Sequence, residues 1–145
     1  MKKPSQRLQT VLTLAKLKER LAAENLAEKI KAANAQKQQV QQLKSFQQEY
    51  NSQFNSLGEG GASPQQLRNF QNFFSNLEQA VDSLERQSLV SEDQQQKARE
   101  NWIFHYSKQK NMEGLVDRKY QFEEKEMEKM RQREYDDRKP YKPIG

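Results

Sequence analysis

The chain has no cysteine. That excludes disulfides and thiolate metal sites and fits a reducing compartment. Glycine and proline are scarce, at five and four in 145 residues. Neither interrupts the stretch from Ser5 to Leu57, and only Gly114 interrupts Gln65 to Lys139. Hydrophobic residues make up only 33% of the sequence, where a compact domain has closer to half. A thick core is therefore excluded. What remains is a disordered chain, or long helices that each bury one narrow stripe. Long apolar runs are also absent, and none approaches the roughly 20 residues of a membrane helix. The opening MKKPSQRLQTVLTLAKLKER starts like a signal peptide. Gln9, Thr10, Thr13, Lys16 and Lys18 break its apolar part, and no small-residue cleavage site follows. The expectation is a soluble protein without a leader.

Charge, by contrast, is plentiful: 31% of residues are charged and the net charge is +5. Residues 1–31 carry eight Lys or Arg against three Asp or Glu, and residues 32–101 carry six against eight. Residues 102–145 carry eleven against nine. Both ends are basic and the middle is slightly acidic.

The breakers punctuate two helices. Pro4 precedes the first glycine-free stretch, and Pro140 and Pro143 close the second. Between them lies GEGGASPQQ, in which Ser63 suits an N-cap, Pro64 the first helical position and Gln66 a capping-box partner. Gly58 stands where a left-handed, helix-ending residue is wanted. A phosphate-cradling loop would need a GK[ST] sequence and a preceding strand, and neither is present. Gly58, Gly60, Gly61, Ser63 and Pro64 thus read as a turn.

Steps of four and three agree with two helices. From Leu67 they fall on Phe70, Phe74, Leu77, Val81 and Leu84, then on polar residues, then on Ala98, Trp102, His105, Gln109, Met112 and Val116. In the first stretch they fall on Leu8, Leu12 and Ala15, then on weaker positions, then on Leu26, Ala33, Val40, Leu43, Tyr50, Phe54 and Leu57, with polar Gln36 and Gln47 among them. This heptad spacing predicts a left-handed coiled coil. The connection is short, so the helices fold back antiparallel. The expected fold is all-α: a long two-helix hairpin, 5–57 and 64–116, joined by a turn at 58–63. Counting outward from the turn puts Phe54 by Leu67, Phe46 near Phe74, Val40 by Val81, Ala22 by Ala98, and Leu8 by Met112 or Glu113. The first helix ends there. Residues 117–145 are expected to form an unpaired helical extension with a disordered end, which makes the second helix the longer. Folding back brings the two basic ends together at the open end, so a partner there should be acidic.

Chemistry is absent from this pattern. His105 is the only histidine, and no second ligand or nucleophile stands near it in sequence, so it reads as a polar seam residue. Carboxylates on a thin hairpin lie in water without a pocket to shift their pKa values. No catalytic residue, metal or cofactor is expected. The aromatics are more informative. Phe46, Tyr50, Phe54, Phe70, Phe73 and Phe74 crowd around the turn, and one seam cannot bury them all. Phe46, Tyr50 and Phe73 are left partly on its flank, either as extra packing beside the turn or as an aromatic stripe for a partner.

QQLKSFQQEYNSQF, a glycine-rich turn and LRNFQNFFSNLEQAVDSL, with the lone Trp of ARENWIFHYSKQK and the following LVDRK, resemble the flagellar FliJ family. The resemblance runs from about residue 8 to residue 138. It implies a non-enzymatic part of the flagellar type III export apparatus, and so a role in flagellum biogenesis, motility and chemotaxis. The family resembles the central stalk of rotary ATPases. It implies an antiparallel coiled coil in the pore of the hexameric export ATPase FliI, with its regulator FliH, the export gate FlhA and export chaperones as further partners. The protein would be cytoplasmic, peripheral at the inner face of the membrane through protein partners, and monomeric when free. Carried over by position, the gate and chaperone surface would be Gln39, Leu43, Phe46, Tyr50, Phe73, Leu77 and Ala80. By analogy with the stalk, the basic open end enters the ATPase, and Lys16, Lys18, Arg20, Arg118 and Lys119 are the candidates there.

Three other readings share the architecture. The equivalent stalk of a virulence injectisome differs in its system rather than its physics. A nucleic-acid-binding coiled coil would release duplexes at modest salt. Here Glu19, Glu24 and Glu28 interleave with the bases, which reads as a solvated face. A dimerising scaffold would show a stable dimer by light scattering.

Overall fold

The computed structural model describes residues 3–138; Met1, Lys2 and the end at 139–145, where disorder is expected, lie outside the described residues. It contains two helices, α1 (Pro4–Glu59) and α2 (Pro64–Arg138), and no strand among the described residues. The fold is the all-α helical hairpin expected, and its second helix is the longer. Gln, Glu, Lys, Ala and Leu, all good helix formers, dominate both helices, and Pro4 and Pro64 each occupy a first helical position, where a missing N–H costs nothing.

The turn follows its sequence signature with one correction. The Ser63 hydroxyl accepts the Gln66 amide at 3.2 Å, and the Gln66 side chain accepts the Ser63 amide at 3.0 Å. This reciprocal pair is the capping box. Gly58, however, does not end α1. The helix runs through it to Glu59, and the left-handed residue is Gly61, with φ of +82°. The Gly60 amide still reaches the Ser56 carbonyl at 3.1 Å, so helical bonding outlasts the first glycine.

The structure divides into two compact units, one of residues 22–101 and one of the described residues up to Leu21 with those from Trp102 onward. In the turn-bearing unit, Ala22, Ala33 and Val40 of α1 and Leu77, Val81 and Ala98 of α2 are buried. Lys37 pairs with Glu92 at 3.4 Å, and Lys44 pairs with Glu85. The partner number falls as the residue number rises, so the helices run antiparallel here. The seam is thin. Ala33, at 1% exposure, is its most enclosed residue, and no large side chain is completely buried. Gln36 Oε1 is buried in this seam without a hydrogen-bond partner among the described residues. An unmet acceptor of this kind costs about 1–3 kcal/mol.

In the other unit, Leu12 and Gln109 are buried, and Trp102 donates its indole N–H to Glu19 at 3.0 Å. Pairing continues past Val116. Ser5 is buried, and its amide and hydroxyl both donate to the Glu123 carboxylate, at 3.1 and 2.6 Å. The extension expected to be free of the first helix from residue 117 instead contacts the start of the chain, at Glu123 and, through Lys3 Nζ to Met127 Sδ at 3.6 Å, at Met127. The reason is electrostatic. The first amides of a helix carry the positive end of its dipole and lack an acceptor one turn back, and Glu123 accepts that of Ser5 from the other helix.

Two predictions follow from these ends. Gly58 has open space around its Cβ position, so Gly58→Ala should raise stability by about 0.5–1 kcal/mol. Gly61→Ala must hold alanine at positive φ and should lower it by about 1 kcal/mol, both read as melting midpoints by circular dichroism. The second concerns pH. The Ser5 hydroxyl, then the Ser5 amide, and more weakly Lys3 and Lys119 hold the Glu123 carboxyl below its ordinary 4.5 against slight desolvation. A depressed folded pKa means that this cap contributes fully above the unfolded value near 4.5. The contribution is lost as pH falls through the lower folded value. Protection of the Ser5 amide from hydrogen exchange should fade over that acid range in the native chain, and Glu123→Gln should abolish the pH dependence.

Candidate partner-binding surfaces

The turn-bearing unit carries a connected set of rings. Tyr50 of α1 lies 4.7 Å from Phe70 and 4.6 Å from Phe73 of α2 by ring centroids. Phe46, one turn before Tyr50, stacks on it at 6.4 Å and meets Phe73 edge-on at 6.5 Å. Phe54 reaches Phe70 at 5.6 Å. Such pairs add about 0.5–1.5 kcal/mol beyond burial, so the patch is stiffened by its own contacts. It is not enclosed. Phe46 remains 47% and Phe73 44% exposed. The heptad explains the split: Tyr50, Phe54, Phe70 and Phe74 take seam positions, whereas Phe46 and Phe73 each stand one residue before the seam.

Among the other residues singled out for this surface, Gln39 and Ala80 are exposed and Leu43 is half-buried. Gln39, Leu43, Phe46 and Leu84 line one shallow groove. Leu77 is buried in the seam, at 7% exposure, so it supports the patch from beneath. Phe70, which the resemblance did not mark, is the ring that ties Tyr50 to Phe54. A second groove, lined by Asn51, Phe54, Phe70, Phe74 and Glu78, gives these rings an open side as well as a seam side.

The unit holding the helix start and the end of α2 has a different chemistry. Lys16, Lys18, Arg20, Arg118 and Lys119 are all exposed, and no ion pair engages any of them among the described residues. The structure shows no contact gathering the five into one cluster. What it does show is two separate basic-aromatic pairs. Lys108 Nζ lies 4.8 Å from the Phe104 ring centre, and Lys110 Nζ lies 5.7 Å from that of Tyr106. The spacing of four residues places each pair on one helix face, so the signal was present in the sequence and available to such a count. His105 is half-buried at its seam position, edge-on to Phe104 at 5.2 Å. The described residues hold no group of three potential metal ligands and no helix long and apolar enough to cross a membrane.

A family model described as the flagellar FliJ protein matches residues 4–141 of the chain. Comparison with curated proteins and with solved structures found no match. The matched span takes in α1, the capped turn and α2. The chain is therefore a member of the flagellar FliJ protein family, whose members are flagellar export components.

Proposed function

We propose that this protein is a non-enzymatic stalk of the flagellar export machine, with the two units engaging different partners. The observation that carries the reading is the ring network of Phe46, Tyr50 and Phe73. It is stiffened by mutual contacts yet left nearly half exposed at Phe46 and Phe73, and rigid exposed aromatics are what protein interfaces use as anchors. This surface, with Gln39, Leu43 and Ala80 around it, would meet the export gate FlhA and export chaperones. Leu77 would act only by supporting it. The basic unit, through Lys16, Lys18, Arg20, Arg118 and Lys119, would engage the hexameric ATPase FliI together with its regulator FliH. A thin asymmetric coil in a pore can bias which subunits close, so its role would be mechanical or allosteric. The site of action would be the cytoplasmic face of the inner membrane, reached through protein partners.

ATP hydrolysis by the hexameric export ATPase, titrated with this protein, tests the stalk reading. Stimulation should saturate near one chain per hexamer, because one shaft fills one pore. Phe73→Ala with Tyr50→Ala should weaken gate binding roughly ten-fold or more while leaving helicity and ATPase stimulation intact. No stimulation and no co-migration with the ATPase would remove the stalk reading. Loss of both partners together would mean that the rings are core.

A further inference from the structure

A two-stranded coiled coil needs apolar residues only along its seam, and a helix that must also cover a third neighbour needs a wider stripe. The basic unit has the wider stripe on one flank alone. The positions one residue before the seam are Arg7, Val11, Leu14 and Lys18 on α1, and Leu21 continues the spacing. On α2 they are Phe104, Lys108, Asn111 and Leu115, with Arg118 continuing. Val11, Leu14, Lys18, Lys108 and Leu115 line a single groove of about 340 Å³ floored by Ala15 and Met112. Leu14 is 51% and Phe104 53% exposed. The flank one residue after the seam is different: Gln9, Thr13, Lys16 and Arg20 face Ile103, Tyr106, Lys110, Glu113 and Asp117 in the heptad count, so its charge is mixed and Ile103 is its one aliphatic residue among these positions.

We infer that this groove is a docking site for an amphipathic helix that carries acidic residues beside its apolar stripe, completing a local three-helix bundle. The charge along this flank selects the occupant. Arg7, Lys18, Lys108 and Arg118 are the charged residues along this flank, and no Asp or Glu stands among the positions named. None of the four forms an ion pair among the described residues. Lys108 lies over the Phe104 ring, which keeps its ammonium at the groove rim. A helix placing leucines between α1 and α2 would bury Val11, Leu14, Phe104 and Leu115, and glutamates at its flanks would reach the four cations. A basic helix would meet repulsion at every one of them. The inference does not depend on which protein supplies the helix, nor on the stalk reading.

Two labelled three-heptad peptides with the same leucine stripe, flanked by Glu in one and Lys in the other, test this by fluorescence anisotropy against the full chain. The Glu peptide should bind at least about ten-fold more tightly than the Lys peptide. Val11→Asp and Leu14→Asp should each abolish that preference without changing helicity, because both side chains are exposed. Lys18→Glu with Lys108→Glu should reverse it. The inference is overturned if neither peptide binds, if both bind alike, or if binding survives Leu14→Asp. It is also overturned if light scattering shows a dimer of the native chain that Leu14→Asp dissociates, since a second copy would then be the occupant.

Discussion

Everything in this structure depends on having one seam. Two helices in contact can bury a single stripe each, and here that stripe is filled with small or mixed residues: Ala22, Ala33, Val40, Leu77, Val81 and Ala98 in one unit, Leu12 and Gln109 in the other. Whatever exceeds the seam's capacity must face outward. That constraint turns ordinary hydrophobic residues into candidate contacts. Phe46, Phe73, Leu14 and Phe104 are exposed because the described residues form no third layer to cover them, and a family of export-machine components has partners that could.

The seam itself is uneven. Near the turn, rings lie across it and reinforce one another. Toward the middle of the turn-bearing unit it holds Gln36, Ser88, Ser91 and Gln95, all half-buried, and the Gln36 side-chain oxygen has no hydrogen-bond partner among the described residues. Ion pairs on the surface there, Lys37 with Glu92 and Lys44 with Glu85, are half-exposed and contribute little individually. Ring contacts thus reinforce the seam near the capped turn, and polar residues thin it farther along. At the start of α1 the compensation is different in kind: a carboxylate from α2 accepts the Ser5 amide and hydroxyl.

Much of this was legible from spacing. Every position that the four-three count names from Leu67 to Val116 is buried or half-buried, because seam membership is a one-dimensional property of a helix. The capping box was equally legible, since Ser63 and Gln66 are local to each other. The left-handed glycine was not: three glycines lie within four positions, and which one takes positive φ depends on where helical bonding stops. The Glu123 cap and the Trp102–Glu19 bond join residues far apart in sequence, so no local signal marks them. Leu77 shows the limit of carrying a surface over by position. Its place in the heptad is a seam place, and there the structure buries it.

The most direct test of the single-seam account is the melting midpoint of aspartate substitutions placed at seam and flank positions. The seam set is Leu12, Val40, Leu77 and Val81, and the flank set is Val11, Leu14, Phe46 and Phe73. A charge forced into the seam should lower the midpoint by about 10 °C or more. The same change on a flank should cost only a few degrees, because those side chains already meet water. Comparable losses in both sets would contradict the account, for the flanks would then be core and no outward surface would be left for a partner.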